Sequence, residues 1–490
     1  MRDVQLVVPV TREEIEKAFA RYRPYIEDWA AFVDTLLRPL PTVVWVNPLR
    51  VSPEEGERLL GEEGVEVSPL GWYRGAFRVL GGARPATTWL YAAGLIHIQE
   101  EVSLLPVVLL DPRPGERVLD MCAAPGGKTA LIAAHMQGTG TVMANDVNFT
   151  RMRAVRHAVE RLGLVNVSMT LYNGANLPRD VGAFDRVLVD VPCSCEGTSR
   201  KNPEVLTFCG VDESLRHQGL QKALLRKAVQ LCRPGGRIVY ATCTYAPEEN
   251  EAVVDAVLRE MGEQVRLVPV SVPGFRVTEG FTEWYGQRFH PTLTLAARVW
   301  PHMNDTGGFF VAVLEKSPES SGELMPPTVC EQWPEQVADP ALWIRFWHDR
   351  FGIPEDTWTR LCFLRRGRKG IDLVHQEHRP PGRPRPEAVG IPLLHTKSAT
   401  PKPTTAAALF LARRAVRQVV DLTQAQVAAY LRREAVVLSG AQAMTVQAKG
   451  FVLVRYRGYG LGTGLWRPGE KAGGGILESL FPKGWGYQRE

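Results

Sequence analysis

Two cysteines in this chain follow apolar runs that end in polar residues, and their surroundings suit nucleophilic chemistry. Cys193 comes three residues after Asp190 in the segment DVPCSC, and Cys243 follows the apolar run Arg237–Ala241. A cysteine on a turn ahead of a helix has a lowered thiol pKa and reacts as a thiolate. An isolated cysteine is more often a small buried hydrophobe, so both interpretations are open for each residue taken singly. Asp190 is a carboxylate that could stabilise a charged adduct beside the thiols.

A second candidate site is the turn within Val118–Thr129 (VLDMCAAPGGKT). Pro125-Gly126-Gly127 separates a short apolar strand from a helix that starts near Lys128. Small residues let a ligand approach the backbone, and free N–H groups face it, although many such turns bind nothing. Asp146 lies 18 positions after Lys128, near the ~20-residue offset at which an acid accepts the ribose hydroxyls of a nucleoside. The alternative role is a helix cap, which Asn148 or Thr150 could serve instead.

Alternating strand and helix patterns position these residues. Strands are predicted at Arg117–Met121, Thr141–Asn145, Val167–Leu171, Arg186–Asp190, Arg237–Ala241 and, as an antiparallel addition, Gly307–Leu314. Helices are predicted at Lys128–Met136, Thr150–Leu162, Glu213–Cys232 and Pro247–Met261. This alternation favours a mostly parallel sheet with helices on both faces, in which ligands bind at the carboxyl ends of the strands. The candidate residues all follow such ends.

Two thiols and a carboxylate beside a nucleoside-type pocket suit one reaction in particular. Carbon 5 of cytosine is too weakly nucleophilic to take a methyl group directly. A thiolate that adds to carbon 6 makes carbon 5 a carbanion equivalent that can accept a methyl cation. Another group must then remove the carbon-5 proton so that the thiolate can leave.

The sequence resembles the NOL1/NOP2/Sun family of S-adenosylmethionine-dependent RNA cytosine-5 methyltransferases. The resemblance covers about residues 30–316, and its motifs are specific. The matching stretches are IHIQEEVSLLP (Ile96–Pro106), VLDMCAAPGGKT, ANDV (Ala144–Val147), DRVLVDVPCSCEGTSRKNP (Asp185–Pro203), PGGRIVYATCTYAPEENE (Pro234–Glu251) and TGGFFVAVLEK (Thr306–Lys316). The C-terminal stretch GFVLVRYRGYGLGTGLW resembles the PUA-like RNA-binding tail of bacterial enzymes that modify small-subunit ribosomal RNA.

The resemblance implies a role for each matching residue. Cys243 of the TC motif would be the nucleophile, and Cys193 of the PC motif would assist product release; DNA cytosine methyltransferases use the PC cysteine as nucleophile instead. Lys128 and Asp190 would lie near the target base. S-adenosylmethionine would be held by Cys122, Ala123, Ala124, Pro125, Gly126, Gly127, Lys128, Asp146, Asn173 and Asp190.

The chain departs from the family pattern at three places. Cys195 stands where the family usually has glycine, and this extra thiol could oxidise or simply pack. Members of the family carry an acidic residue after the third strand, near the adenine of the cofactor. This chain has no acid there, and Asn173 is assigned to the adenine contact in its place. Trp45 stands where arginine is typical. Trp45, Trp72, Tyr73, Arg74 and Arg78 could contact RNA, but core packing and surface charge are the default roles.

Charge is distributed unevenly along the 490 residues. From Arg360 to Glu490 there are 22 Lys and Arg against 8 Asp and Glu, whereas the first 359 residues have 36 against 45. A basic C-terminal third on a mildly acidic body suggests contact with a polyanion, although a solvated basic face would look the same. The basic, proline-rich runs Arg365–Lys369 and Arg379–Pro386 predict extended, poorly structured chain, and Ala406–Val420 predicts an amphipathic helix.

Composition excludes several other classes of protein. The longest apolar runs are too short for a membrane span, and the first 19 residues lack a signal-peptide pattern. The eight cysteines are not spaced like a disulfide framework, so we expect reduced thiols in a cytoplasmic protein. Cys193-Ser194-Cys195 lacks the CxxC spacing of a structural zinc site, and no metal site is predicted. Nothing in the sequence implies an oligomer.

These observations predict an α/β protein with a Rossmann-like class I methyltransferase domain, a small α+β N-terminal domain and a basic C-terminal α/β RNA-binding region. The predicted boundaries are 1–93 for the N-terminal domain, 94–316 for the methyltransferase domain, 317–404 for a linker and basic proline-rich region, and 405–490 for a PUA-like domain. The predicted substrate is 16S ribosomal RNA. Transfer RNA and a non-catalytic ribosome-assembly role are the alternatives, while the absence of a G-x-G-x-x-G spacing disfavours a nicotinamide-dependent oxidoreductase.

Overall fold

The computed structural model describes residues 10–319, 335–367, 370–397, 400–469 and 474–485. Parts of several predictions fall outside these ranges: the beginning of the N-terminal segment, the polar linker from residue 320 onward, two residues of the basic run at 365–369, and Cys330. Within the described ranges, no helix combines the length and the apolar character needed to cross a bilayer.

The N-terminal region forms two helices and then a small antiparallel sheet with helices. Its elements are α1 (Arg12–Phe19), α2 (Trp29–Leu36), β1 (Val43–Val46), α3 (Pro53–Glu62), β2 (Val67–Pro69), β3 (Ala76–Val79), α4 (Trp89–Ala92) and β4 (Ile96–Ile98). The sheet has the order β2-β3-β1-β4, so it crosses the predicted boundary at residue 93. Trp45 on β1 is buried and donates a hydrogen bond to Gln99, which is the core role rather than an RNA contact.

The helices α1 and α2 pack away from that small sheet. Phe19 and Phe32 belong to the same buried cluster as Tyr245 and Trp300, which lie far along the chain. The helices α1 and α2 therefore support the loops at the end of the central sheet rather than a separate N-terminal core.

The central region is a ten-stranded mixed sheet with helices on its faces. Its elements are α5 (Leu105–Leu110), β5 (Arg117–Asp120), α6 (Gly127–His135), β6 (Thr141–Asp146), α7 (Phe149–Leu162), β7 (Val167–Leu171), β8 (Phe184–Asp190), α8 (Val211–Leu231), β9 (Cys232–Thr242), α9 (Glu251–Met261), β10 (Val265–Val268), β11 (Thr278–Glu279), β12 (Glu283–Trp284), β13 (Gln287–Arg288), β14 (Ala297–Val299), α10 (Pro301–Asn304) and β15 (Phe309–Lys316). Strands β7, β6, β5, β8 and β9 are parallel neighbours in that order, and β15 adds to β9 in the antiparallel sense. The predicted Rossmann-like α/β fold is confirmed.

Local sequence explains where these elements begin and end. The Asn148 side chain accepts a hydrogen bond from the Arg151 N–H and so caps α7, and Gly163 ends the helix in the left-handed conformation. The central strands are buried on both faces, which is why their residues are apolar almost without alternation.

The C-terminal region contains two further sheets. Its elements are α11 (Pro340–Phe351), β16 (Leu361–Arg366), β17 (Gly370–His375), β18 (Ala388–Val389), β19 (Ile391–His395), β20 (Lys402–Pro403), α12 (Thr405–Leu411), β21 (Val419–Asp421), α13 (Gln424–Leu431), β22 (Val436–Leu438), α14 (Gly440–Ala443), β23 (Gly450–Tyr456), β24 (Tyr459–Pro468) and β25 (Gly475–Ser479). The sheet orders are β16-β17-β19-β20 and β21-β23-β24-β25-β22.

Two expectations for this region are wrong. The basic, proline-rich segment is not loose chain: β18 pairs with the edge strand β7 of the central sheet, and the Arg379 N–H donates to Thr141. An exposed sheet edge offers unpaired backbone groups, and pairing satisfies them on both sides. The helix expected at Ala406–Val420 ends at Leu411, and the chain then turns into β21.

Candidate active site

The two thiols predicted to carry chemistry lie side by side. Strands β8 and β9 are parallel neighbours in which Asp190 pairs with Ala241, so the loops after both strands leave the sheet at the same edge. The Sγ atoms of Cys193 and Cys243 are 3.4 Å apart. Cys193 is buried and Cys243 is half-buried. Two sulfurs in contact at this separation are close enough for both to act on one reacting group.

Asp190 and Lys128 form an ion pair beside these thiols. The Lys128 ammonium, in the first turn of α6, donates to the Asp190 carboxylate at 2.8 Å and lies over the Phe309 ring. Burial would lower the pKa of Lys128, but the negative charge of Asp190 and the hydrogen bond to it outweigh burial and raise that pKa. The ammonium therefore stays charged beside the thiols.

The three neighbouring sulfurs differ in their tendency to ionise: hydrogen bonds with Cys193 and Cys243 lower the pKa of Cys195 to about 3, whereas the pKa values of Cys193 and Cys243 are raised. A hydrogen bond from Cys193 favours the Cys243 thiolate, but Cys195 and burial outweigh it and raise the pKa of Cys243 well above its ordinary value. Burial also raises the pKa of the Cys122 thiol. Nucleophilic attack by Cys243 consequently requires that its proton be taken up when a substrate arrives.

The glycine turn lies at the carboxyl end of β5. Gly126 has φ of 107°, and a Cβ there would come within 2.8 Å of the Val155 backbone on α7, so both conformation and space demand glycine. The Ala124 carbonyl accepts a hydrogen bond from Arg151, and the Ala123 N–H donates to Asn145. The turn is thus fixed by its neighbours. Within the described part of the chain, no side chain caps the N-terminus of α6.

Asp146 is buried at the end of β6 and binds the glycine turn. Its carboxylate accepts one hydrogen bond from the Ala124 N–H at 3.1 Å and one from the Asn148 N–H at 2.8 Å. The alternative role as a helix cap is filled by Asn148. Asn173 lies two residues beyond β7, exposed, and its side-chain oxygen accepts from the Ala175 N–H.

Asp120, at the end of β5, is a polar group that the sequence analysis did not single out. It is 1% exposed and accepts a hydrogen bond from Thr129 at 2.6 Å. Its other oxygen has no hydrogen-bond partner among the described residues. Burial and the nearby Asp190 raise the pKa of Asp120 to about 7, despite the Thr129 bond. The sequence feature that could have revealed Asp120 is its position as an acidic residue in an otherwise apolar strand.

Two buried glutamates hold the cysteine loops, and both were also missed. Glu249 accepts hydrogen bonds from the Ser194 N–H at 3.0 Å and from Gln221 at 2.7 Å. Glu196 accepts from Tyr22 at 2.6 Å and from Thr244 at 3.2 Å. Burial raises the pKa of both carboxyl groups, to about 6 for Glu196. Acids in otherwise buried motif segments were the signal that could have revealed them.

Cys195 adds a third sulfur to the site. It has φ of 60°, the left-handed conformation that glycine adopts most readily, and its Sγ lies 3.2 Å from the Cys193 carbonyl oxygen. The Sγ atoms of Cys193, Cys195 and Cys243 all lie within 4.8 Å of one another. We call these three residues the thiol cluster.

Comparison with known proteins finds two matching family models and several similar enzymes. The family model for the 16S rRNA methyltransferase RsmB/F matches residues 107–315, and the model for the methyltransferase RsmF PUA domain matches residues 417–487. A tRNA (cytosine(49)-C(5))-methyltransferase of Pyrococcus abyssi is 34% identical over 306 residues, which are 62% of this chain and 97% of that protein. A mouse 28S rRNA (cytosine-C(5))-methyltransferase is 40% identical over 57% of this chain and 35% of its own length.

Solved structures show the same fold. A methyltransferase homolog protein from Pyrococcus horikoshii is 31% identical, with a TM-score of 0.53 over 63% of this chain and 100% of that one. The chain spans between about a third and a half of the length of the eukaryotic ribosomal RNA relatives it matches. The fold, the motif residues and the near-complete match to the Pyrococcus abyssi enzyme lead to one conclusion. This chain belongs to the NOL1/NOP2/Sun family of S-adenosylmethionine-dependent RNA (cytosine-C5)-methyltransferases.

Proposed function

We propose that this protein methylates carbon 5 of cytosine in 16S ribosomal RNA through a covalent bond between Cys243 and carbon 6 of the base. The observation that carries the proposal is the 3.4 Å separation of the Cys193 and Cys243 sulfurs, next to the Lys128–Asp190 ion pair. One thiol can bond to the ring while the other assists release, which a single buried cysteine could not do.

The residues around the glycine turn fit S-adenosylmethionine. Among the described residues, the Asp120 oxygen without a partner and the N-terminus of α6 are a free hydrogen-bond acceptor and a positive dipole end at one turn, and they match the ammonium and carboxylate of the cofactor's amino-acid part. The residues that would hold it are Cys122, Ala123, Ala124, Pro125, Gly126, Gly127, Lys128, Asp146, Asn173 and Asp190. When bound, the cofactor supplies an electrophilic methyl group.

The chain's own residues then have distinct tasks. The target cytosine must leave its stack, since carbon 6 is inaccessible within a helix. Cys243 gives its proton to the solvent, and its sulfur bonds to carbon 6 as the 5,6 double bond of the ring opens and its electron pair moves to carbon 5. Asp190, held by Lys128, hydrogen-bonds the edge of the base and stabilises that adduct. Cys193 assists the step in which the carbon-5 proton leaves and the bond between carbon 6 and Cys243 breaks.

A ribosomal substrate is favoured by the C-terminal region. The RsmF PUA-domain match covers residues 417–487, within the part of the chain that carries 22 basic against 8 acidic residues. Such a surface binds phosphates and positions an RNA, while the pocket selects the base. The Pyrococcus abyssi relative is named for tRNA, so transfer RNA is the substrate to test against.

Single alanine variants test the covalent step. Incubated with RNA and S-adenosylmethionine, Cys193→Ala should leave a protein–RNA band on a denaturing gel, because the adduct forms but is not released. Cys243→Ala should leave none. Cys209→Ala is the matched control, since that half-buried thiol lies outside the cluster, and it should turn over like the unaltered protein.

The other outcomes separate the alternatives. A band with Cys243→Ala and normal turnover with Cys193→Ala would mean that the two roles are exchanged. Cofactor binding by calorimetry without methyl transfer to any RNA would favour the non-catalytic assembly factor. Bisulfite sequencing of 16S and transfer RNA from a deletion strain, with and without the restored protein, identifies the modified molecule.

A further inference from the structure

The thiol cluster has the composition and spacing of a metal site. Three sulfur ligands within 4.8 Å of one another surround a space that an ion could occupy. In the sequence, Cys193 and Cys195 are separated by one residue and Cys243 lies 48 positions further on, so zinc-ligand spacing gives no sign of the cluster. The parallel pairing of β8 with β9 brings the third sulfur in.

We propose that the thiol cluster binds one thiophilic divalent cation of the Zn²⁺ class through its three sulfurs. A Zn–S bond of about 2.3 Å in tetrahedral geometry places two sulfurs about 3.8 Å apart. The separations here run from 3.4 Å to no more than 4.8 Å, so side-chain movements of an ångström or less suffice. Each thiol that holds a proton gives it to the solvent as its sulfur bonds the ion.

The charges around the cluster suit such an ion. Three thiolates with one divalent cation carry a net charge of −1, and the positive Lys128 ammonium lies close enough to Cys243 to interact with it electrostatically. The loops that carry the sulfurs are fixed by the buried Glu249 and Glu196, so little ordering is needed on binding. Cys195 and Cys243 are half-buried, which leaves a path for the ion and a fourth position for water.

Binding would have a functional consequence that rests on the proposed function. A metal ion on the Cys243 sulfur occupies the electron pair that attacks cytosine, so the loaded protein should be unable to form the adduct. The family's usual glycine at position 195 would remove one ligand. We therefore infer that Cys195 makes this chain more sensitive to thiophilic metals than relatives that carry glycine there.

Cadmium titration of the full chain tests the site without reference to activity. In a buffer with a non-thiol reductant, Cd²⁺ should produce sulfur-to-metal charge-transfer absorbance in the near ultraviolet, and equilibrium dialysis should give one tightly bound ion per chain. Cys195→Gly and Cys195→Ser should each weaken binding at least ~100-fold, because removing a ligand costs more than the ~10–100-fold lost when an outer-shell partner of a ligand is removed. Cys362→Ser, which alters a half-buried thiol outside the cluster, should bind like the unaltered protein.

The outcomes are decisive for the site. Equal cadmium affinity in the unaltered chain and in both Cys195 variants, or no tight binding by the unaltered chain, would overturn the proposal. Circular dichroism confirms that each variant is folded, and the glycine variant relieves the left-handed backbone rather than straining it. If Cys193→Ala traps no RNA while cadmium still binds in a Cys195-dependent way, the proposed function fails and the metal site stands.

Discussion

Gly308 is the position at which one added methyl group should do the most damage to the site. Its N–H donates to the Gly197 carbonyl at 2.9 Å, and the Gly197 N–H donates to the Cys243 carbonyl at 2.9 Å. A Cβ at Gly308 would lie 2.0 Å from the nearest atom of the Tyr245 ring. Because real Cβ contacts are never that short, Gly308→Ala must move either the ring or the backbone that supports the Cys243 loop.

The ring has little room to move. Tyr245 is 1% exposed, and its ring centroid lies 5.4 Å from that of Phe19 and 5.2 Å from that of Trp300. Overfilling a packed core costs typically 1–3 kcal/mol, and we expect about 2–3 kcal/mol here because the blocked atoms are part of a rigid ring. Tyr245 is two residues from Cys243, and a ~1 Å misplacement of a reacting group costs about 100-fold in rate.

Gly219→Ala is the matched control for this variant. Gly219 is an exposed residue of α8 at which a Cβ meets nothing within 4 Å, so it should leave the rate unchanged and raise stability by up to ~1 kcal/mol. Urea unfolding measures stability, and single-turnover transfer of a labelled methyl group to RNA measures the rate. A Gly308→Ala protein with unchanged stability and rate would refute the reasoning, since the contact with Tyr245 would then be easily relieved.

Two further predictions concern buried charges. Arg298 donates to Glu251 at 2.7 Å and to the Tyr245 carbonyl at 2.8 Å, with both side chains almost fully buried; Arg298→Met should lower the free energy of unfolding in urea by about 3–5 kcal/mol by stranding the Glu251 carboxylate. Adding Glu251→Met should recover part of that loss. If the losses of the two single variants simply add in the double variant, the two side chains do not stabilise the protein as a pair. Asp120, with its pKa raised from 3.8 to about 7, keeps a proton in the folded protein that the unfolded chain has released, so its contribution to stability falls as pH rises between those values. Asp120→Asn should flatten that slope in urea unfolding measured from pH 5 to pH 8, and an unchanged slope would assign the titration to other groups.

Much of the central fold was predictable because its signals are local. Five strands and the helices between them were assigned within a few residues, since apolar runs, glycine stops and helix caps act over one or two turns. The glycine turn and Asp146 fell at neighbouring strand ends for the same reason. Strands β16 to β20 escaped prediction because the proline-rich composition around them suggests poorly structured chain, whereas pairing with one another and, for β18, with the edge strand β7 orders them.

The sequence by itself determined which chemistry is available: two cysteines, an aspartate and a lysine, each at the end of a recognisable strand or the start of a helix. Only the tertiary structure decided the distances. The parallel register of β8 with β9 sets the two sulfurs 3.4 Å apart and brings Cys195 into the same space. Burial in the folded chain determines which acids have a raised pKa, as at Asp120 and Glu196. Local patterns encode elements, whereas separations and desolvation depend on chain segments that are distant in sequence.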